Sequence, residues 1–412
     1  MGSTEPLSAS CCIYSVPPSL RKGSEEDYTP NFVSIGPFHH RNERLKSRQQ
    51  LKLWYLHKFL QRTQKDSFDH YVLFLQESED RIRRCYSETI EMESSQFVSM
   101  ILIDAGFIIE LFLASKDDPL GVDDPLVRRL LWPMCDIILD LILVENQLPF
   151  FVLEGIFDQT FPDGFNYNHS FLDLTIAVLT SYLSGALYYA PSDEMFDKSS
   201  FPDRVEHLCD VLRAMCLPSN HPARIEYCTP LKRSYSVSQL HESGVELQAH
   251  HGKKLTEVLF SEGVLTIPRI RVSNMTEKLL SNVVAFEQCH YPSKHYVTDY
   301  VVLLPFLIQS GKDVEILAKK GIMESYLDND AAASMLSNLR KNVLETSVNR
   351  DYASLHEGLH EFYNDHRHEY KAIFLREYWS TPWKKASTFA AVLLLFLTFI
   401  QTISSIIPLF NK

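Results

Sequence analysis

The stretch 101–110 reads Ile-Leu-Ile-Asp-Ala-Gly-Phe-Ile-Ile-Glu and lies inside a longer, largely apolar run, 94–113. A run that is apolar on almost every face predicts a central, buried helix. This helix carries two carboxylates, Asp104 and Glu110, into its apolar surroundings. Burying an unpaired carboxylate costs several kcal/mol, so both groups must be ion-paired, hydrogen-bonded or protonated.

The next apolar stretch combines the same features. A helix is predicted over 125–144, with proline in its first turn, and Asp136, Asp140 and Glu145 lie in or just after it. Two interpretations are open for the embedded carboxylates. They form a polar network that fixes helix register, with Lys52, Arg128 or Arg129 as cationic partners. Alternatively, a pair with a raised pKa serves acid–base chemistry or binds a divalent metal ion.

The rest of the chain is also read mainly as helix. Apolar periodicity predicts helices over 45–62, 150–161, 170–187, 276–287, 296–310, 331–344 and 352–378. Short β-branched runs predict strands at 245–248, 255–260 and 264–272, with Gly263 at a turn. We therefore expect a mainly α fold: a large helical domain with a small β element around 245–272.

Composition along the chain suggests its organisation. The polar residues 1–27 are expected to be disordered, and 28–380 to form a single domain. Within that domain we expect a helical half at 28–188 and an α+β half at 236–380. A proline-interrupted, loop-rich segment, 189–235, lies between them.

Charge and cysteine usage exclude several classes of protein. The 412-residue chain is 45% hydrophobic with a net charge of -12, which excludes a disordered or fibrous protein and argues against binding the nucleic-acid backbone. Its eight cysteines show no CxxC spacing, so we expect reduced thiols and neither a zinc ribbon nor a thioredoxin-type pair. Glycine-rich phosphate loops are absent from the sequence, and we predict no cofactor.

The C-terminal segment 386–410 has no charged residue. As a helix it would span roughly 37 Å at about 1.5 Å per residue, enough to cross a hydrocarbon core of about 30 Å. Lys384 and Lys385 precede it and Lys412 follows it, which favours a cytosolic location for the bulk of the chain. We predict a single-pass, tail-anchored protein of the plasma membrane or an endomembrane, whose sequons at Asn168 and Asn274 carry no sugar.

One short motif suggests a metal site. His356, Glu357 and His360 have the HExxH spacing that places two imidazoles on one helix face for zinc. The surrounding residues are polar, however, and Tyr363 occupies the position where a metzincin has glycine. We interpret the motif as a solvated helix face and predict no metal there.

Three blocks of sequence, taken together, resemble those of a known family. They are Tyr-Thr-Pro-Asn-Phe-Val-Ser-Ile-Gly-Pro-Phe-His-His at 28–40, Asp-Ala-Gly-Phe-Ile-Ile-Glu-Leu-Phe at 104–112 and Leu-Val-Glu-Asn-Gln-Leu-Pro-Phe-Phe-Val-Leu at 143–153. In order and spacing they are similar to the plant "domain of unknown function 247" family, and the similarity continues from about residue 14 to the C-terminus. One departure is Ala105-Gly106, where the family usually has Gly-Cys.

The resemblance implies a land-plant protein with one C-terminal membrane helix and no established enzymatic activity. Some relatives are implicated in pollen self-incompatibility in grasses. The family's signature positions fall on seven residues of this chain, none with an assigned role: His39, His40, Asp104, Glu110, Glu145, Asn146 and Gln147. We expect the last three to satisfy one helix end and the start of the next, within a helical core knitted by buried polar groups.

Two functions are compatible with the sequence. The first is a protein–protein recognition or scaffold module in signalling, with an unidentified protein partner and the 1–27 and 189–235 segments facing it. The alternative is a hydrolase-type enzyme or metal-binding protein that uses Asp104, Glu110, Asp140 or Glu145 with the His39-His40 pair. An enzyme should gather these side chains around one open cleft, whereas a scaffold should bury them in mutual hydrogen bonds.

Overall fold

The computed structural model of the chain describes residues 8–21, 23–63, 67–117, 134–162, 170–187, 201–202, 204–217, 227–228, 235–250, 254–343, 348–365, 378–379 and 381–410. Helices dominate these residues, as the sequence predicts. They are α1 Pro18–Arg21, α2 Gln49–Arg62, α3 Ser67–Arg83, α4 Ser94–Asp117, α5 Met134–Leu141, α6 Phe150–Thr160, α7 Phe171–Leu187, α8 Leu208–Cys216, α9 Val237–Glu242, α10 Asn274–His290, α11 Tyr296–Leu307, α12 Gly311–Lys319, α13 Asn329–Leu339, α14 Arg350–Asn364 and α15 Pro382–Phe410.

The strands are few and short. They are β1 Tyr227–Cys228, β2 Glu246–His250, β3 Leu259–Ser261, β4 Val264–Pro268, β5 Ile270–Val272, β6 Met323–Ser325 and β7 Val348–Asn349. Strand β4 pairs in parallel with β2 and antiparallel with β3. The β3–β4 turn places Gly263 at φ +79°, a conformation that glycine adopts without strain. The predicted β element around 245–272 is therefore present.

Helix α4 is the central helix that its apolar sequence predicts. It packs against α2, α3, α6 and α7, and Ile101, Phe107 and Ile108 are completely buried. In the second half, α10 packs against α8, α11 and α13. Most buried apolar side chains form one contiguous cluster that extends from Cys12 to Leu359.

The expectation that residues 1–27 are disordered is wrong for most of that segment. Residues 8–21 and 23–27 are ordered, and Cys12, Ile13 and Leu20 are at most 1% exposed. A few apolar side chains in a polar segment are enough to fix it, because residues far along the chain provide the surface that buries them.

Several element boundaries also differ from the sequence prediction. The predicted helix at 125–144 is described from Met134 and ends at Leu141. Within the prediction at 352–378, α14 ends at Asn364, and residues 366–377 lie outside the described residues. Helices α3, α8 and α12 were not predicted. Most of the loop-rich segment 189–235 lies outside the described residues, although α8 within it is buried along its whole length.

Among the described residues, two helices are long and apolar enough to span a membrane, and their surroundings are opposite. In α4, 83% of the apolar window is buried in the protein, whereas in α15 the corresponding share is 0%. Phe389, Leu394 and Leu395 of α15 are each more than 65% exposed. Helix α4 is thus a core helix, and α15 is a candidate membrane span.

The close approach between Gly36 and the backbone of Gln147 can be tested by substituting the glycine. Its φ is +67°, and a Cβ added there would lie 2.6 Å from the backbone oxygen of Gln147. Gly36→Ala should therefore lower the free energy of unfolding by about 2–4 kcal/mol, through left-handed strain plus the clash. Gly23→Ala is the matched control, since Gly23 has φ +82° with nothing within 4 Å of its added Cβ. Denaturant titration should show a loss of about 1 kcal/mol for the control, and equal losses would contradict the close approach.

Candidate functional site

An irregular segment, 31–36, is assigned to no strand and passes beside α4 and α5; we call it the strap. The Asp140 carboxylate accepts hydrogen bonds from three successive strap amides, of Asn31, Phe32 and Val33, at 3.1, 2.6 and 2.9 Å. Lys278 adds a cation 3.7 Å from this carboxylate. Asp140 is 1% exposed, so its carboxylate binds the strap and is not accessible from solvent.

Asn146 continues this support along the strap. Its side-chain oxygen accepts from the Ile35 amide at 2.6 Å, and its side-chain nitrogen donates to the carbonyls of Val33 and Asp140 at 3.0 and 2.9 Å. One amide side chain therefore replaces the neighbouring strand that the strap lacks and ties it to the end of α5.

Asp104 of α4 holds the end of the strap together with Lys52 of α2. The Lys52 ammonium lies 2.5 Å from the Asp104 carboxylate and donates to the Ser34 carbonyl at 2.8 Å. The other oxygen of the carboxylate accepts from the Gly36 amide at 2.9 Å. Burial raises the pKa of Asp104, and Lys52 and the Gly36 amide oppose that rise. Lys52 is thus one of the cations that the sequence suggested; Arg128 and Arg129 lie outside the described residues.

Gln147 and Glu110 complete the buried set in the same manner. Gln147 donates to the Leu141 and Leu143 carbonyls at 2.7 and 2.6 Å and accepts from the Leu208 amide at 3.1 Å. These bonds satisfy the end of α5 and the beginning of α8. Glu110 pairs with Arg62, whose Nε lies 2.8 Å away.

The buried carboxylates do not meet in one site. Asp104, Glu110 and Asp140 are at most 1% exposed, and each has its own set of donors. Asp136, which the sequence grouped with them, is exposed on α5 and lies outside the buried set. Asp136 and Asp140 are one helical turn apart, and their different burial shows that composition alone does not identify the buried face.

Glu145 differs from the other carboxylates because it faces an open cleft of about 910 Å³. It accepts from the Val16 amide at 2.7 Å, pairs with Arg21 and lies 3.2 Å from Nε2 of His39. The remaining lining residues come from three parts of the chain: Ser15, Pro18, Glu25, Pro37, Phe38, Arg41 and the stretch Glu88, Thr89, Ile90, Glu91 and Met92. The cleft with the Glu145–Arg21–His39 cluster in its wall is the candidate functional site.

The electrostatics of this cluster favour an ionised Glu145 near neutral pH. Burial opposes its ionisation, but the contacts with His39, Arg21 and the Val16 amide outweigh burial and lower its pKa. A carboxylate with a lowered pKa is a weak base and is not protonated near neutral pH, so it is poorly suited to general acid–base catalysis. The cluster is better suited to position a charged or hydrogen-bonding group of a ligand.

The two adjacent histidines have different surroundings. His39 lines the cleft beside Glu145. His40 is turned toward the Lys52–Asp104 pair, and burial lowers its pKa. Its Nδ1 is buried and has no hydrogen-bond partner among the described residues. The histidines therefore do not act on one bound group.

The HExxH motif lies on α14, away from the residues that line the cleft. Nδ1 of His360 and the Tyr235 hydroxyl share a hydrogen bond, and the two rings stack. Glu357 is exposed, and His356 and His360 are half-buried. Within the described part of the chain, no group of three or more His, Cys, Asp or Glu side chains is arranged to hold a metal ion.

Sequence reasoning missed a second buried polar centre, between α8, α10 and α11. Arg213 donates to Glu287 at 3.0 Å, and Glu287 accepts from the amides of Val297 and Thr298 at 3.2 and 2.8 Å. Asp210, one turn before Arg213, is buried, and burial raises its pKa to about 6. The available signal was Glu287 at the end of the helix that apolar periodicity predicts over 276–287.

The comparisons with known proteins agree with the resemblance. The family model "Plant protein of unknown function", domain of unknown function 247, matches residues 13–397. A UPF0481 protein of Arabidopsis thaliana is 26% identical over 100% of this chain and 90% of its own length. A second UPF0481 protein of the same plant is 23% identical over 97% of this chain and 91% of its own length. No solved structure matches significantly.

The Lys52–Asp104 pair should couple strongly. Lys52→Met leaves the buried Asp104 without its cation and should cost about 3–5 kcal/mol of unfolding free energy. Adding Asp104→Asn removes the unpaired charge while an amide oxygen still accepts from the Gly36 amide, so the double variant should regain most of that loss. Denaturant titration of both single variants and the double variant measures the coupling; additive losses would argue against a direct ion pair.

The Glu145 cluster should make stability depend on pH at the acid side. Because the folded pKa of Glu145 is lowered from its ordinary value of about 4.5, its contribution is present above about pH 4.5 and is lost as pH falls through the folded pKa. We expect Glu145→Gln to lose about 1–3 kcal/mol at pH 7 and to approach the wild-type stability as pH falls toward 3. Unfolding titrations at several pH values measure this difference, and a constant difference would contradict the assignment.

Proposed function

This chain belongs to the plant "domain of unknown function 247" family, and we propose that it is a membrane-anchored recognition module that binds a protein partner through the Glu145 cleft. The module acts in signalling, as the resemblance to relatives implicated in self-incompatibility implies. The single observation that carries the proposal is the open cleft of about 910 Å³, with a charged cluster held in its wall by the N-terminal segment.

The burial of the other carboxylates supports recognition over catalysis. Asp104, Glu110 and Asp140 are paired inside the core, so none is available to a substrate. Asp104 and Asp140 order the strap, and residues 37–39 that follow the strap form part of the cleft wall. A rigid wall favours binding because little conformational entropy is lost when the partner is captured.

The cleft surface has the mixed character of protein-recognition sites. Phe38, Ile90 and Met92 offer partly buried apolar area, and Arg21 and Arg41 supply guanidinium groups. Aromatic side chains, Met and Arg are enriched at protein interfaces. Glu88 and Glu91 at the exposed edge add opposite charge, which would select the orientation of the partner.

The C-terminal helix would locate this module at a membrane. Helix α15 is unburied along its apolar length, and Trp383 near its start is 86% exposed. Tryptophan and lysine residues are favoured at the bilayer interface. In the proposed arrangement α15 spans the plasma membrane or an endomembrane, and the cleft faces the cytosol.

One observation favours the alternative, a hydrolase-type enzyme. His39 lies 3.2 Å from Glu145 in the cleft wall, and a carboxylate beside an imidazole is a recurring catalytic pair. In that case the paired Arg21 would have to leave Glu145 during turnover. The enzyme alternative predicts that small ester or amide substrates are consumed, and that His39→Ala abolishes their consumption.

The test uses the full-length chain in plant membranes with a photo-crosslinking amino acid at Thr89, which lines the cleft. We expect one defined protein to be crosslinked in the membrane fraction and the yield to fall at least tenfold when Arg21→Ala and Phe38→Ala are added. Glu315, an exposed residue of α12 outside the cleft, is the matched control position for the crosslinker. Equal crosslinking from both positions, or no effect of the cleft substitutions, would contradict the proposal.

A further inference from the structure

The N-terminal segment lies beside the residues that follow α3 and pairs with them through the backbone. Ile13 donates to the Cys85 carbonyl at 2.8 Å, and Ser87 donates to the Ile13 carbonyl at 2.9 Å. These two bonds form a parallel bridge between Ile13 and Tyr86. A third bond, from the Cys12 amide to the Cys85 carbonyl at 2.9 Å, extends the contact toward the N-terminus.

This register places Cys12 opposite Cys85. Residues paired across neighbouring strands lie about 4.8 Å apart, within the Cα separation of about 4.4–6.8 Å that a disulfide requires. Both side chains are 1% exposed, and the Cys85 thiol donates to the Arg81 carbonyl at 3.3 Å. The two sulfur atoms therefore need little movement to bond.

We propose that Cys12 and Cys85 are a reversible redox site that forms a disulfide when a hydroperoxide oxidises the protein. The Cys85 thiolate attacks the peroxide O–O bond, giving a sulfenic acid and releasing the other oxygen as water after protonation. The Cys12 sulfur then attacks the Cys85 sulfur and expels the second oxygen as water. Overall, two thiols and one molecule of hydrogen peroxide give one disulfide and two molecules of water.

The surroundings distinguish the two thiols. The neighbouring Cys12 thiol lowers the pKa of Cys85 against the effects of burial and of Glu206, and Arg204 and Arg81 act in the same direction as Cys12. The neighbouring Cys85 thiol and burial raise the pKa of Cys12. Cys85 is thus the attacking thiolate and Cys12 the resolving thiol.

The disulfide would fasten the segment that carries the cleft wall. Val16 and Arg21, which follow Cys12 in the chain, hold the Glu145 carboxylate. Three backbone hydrogen bonds join the segment to residues 85–87 in the reduced protein, and a disulfide would add a covalent link there. This inference stands on the cysteine geometry and does not require the cleft to bind a protein.

The test treats the full-length chain in detergent with hydrogen peroxide, blocks free thiols with N-ethylmaleimide and maps tryptic peptides without reduction. We expect a linked pair of peptides, 1–21 and 85–116, that dithiothreitol separates. Cys12→Ser and Cys85→Ser should abolish this pair, whereas Cys11→Ser and Cys289→Ser should retain it. A linked pair that persists in Cys12→Ser would assign the bond to Cys11 and overturn the proposal.

A second measurement needs no substitution and covers the case in which the cysteine variants fail to fold. Oxidation of the wild-type chain should raise its melting temperature by several degrees, because the bond constrains the unfolded chain, and dithiothreitol should reverse the change. Absence of the linked pair from the folded, peroxide-treated wild-type chain would also overturn the proposal. Its failure would leave the crosslinking result from Thr89 unaffected, so the two proposals are tested separately.

Discussion

The backbone of the strap, 31–36, has to satisfy its polar groups inside the core without a neighbouring strand. A buried amide or carbonyl without a partner costs about as much as a lost hydrogen bond. Asp140, Asn146 and the Lys52–Asp104 pair supply the missing partners from α2, α4 and the end of α5. The charged residues inside apolar helices are therefore a condition of the fold, and the arrangement of the first half of the chain depends on them.

This use of charge also determines which groups are left for function. Each core carboxylate is committed to a backbone amide or a cation, whereas Glu145 sits where the same polar layer reaches an open cleft. Its partners, Val16 and Arg21, come from the N-terminal segment. In both the core and the candidate site, a buried carboxylate fixes a segment that has no regular secondary structure. At the candidate site, this carboxylate also faces an open cleft.

Local patterns in the sequence were sufficient for the elements whose causes are local. The apolar run at 94–113 predicts α4, and the β-branched runs around Gly263 predict the β3–β4 turn. Non-local contacts were not predictable in the same way. The N-terminal segment looked disordered because Cys85 and Glu145, which bind it, are far away in sequence. Likewise, the sequence indicated buried carboxylates but not that each binds a different backbone segment.

Helices α4 and α15 show why composition alone does not separate a core helix from a candidate membrane span. Both pass the same test of length and apolarity. Helix α4 carries Asp104 and Glu110, and each finds a cation from α2, Lys52 or Arg62. A lipid bilayer offers no such partners, and a membrane helix without charged residues avoids the cost of burying them. The uncharged segment 386–410 meets that condition, so ionisable residues and their partners, more than hydrophobicity, explain the different positions of the two helices.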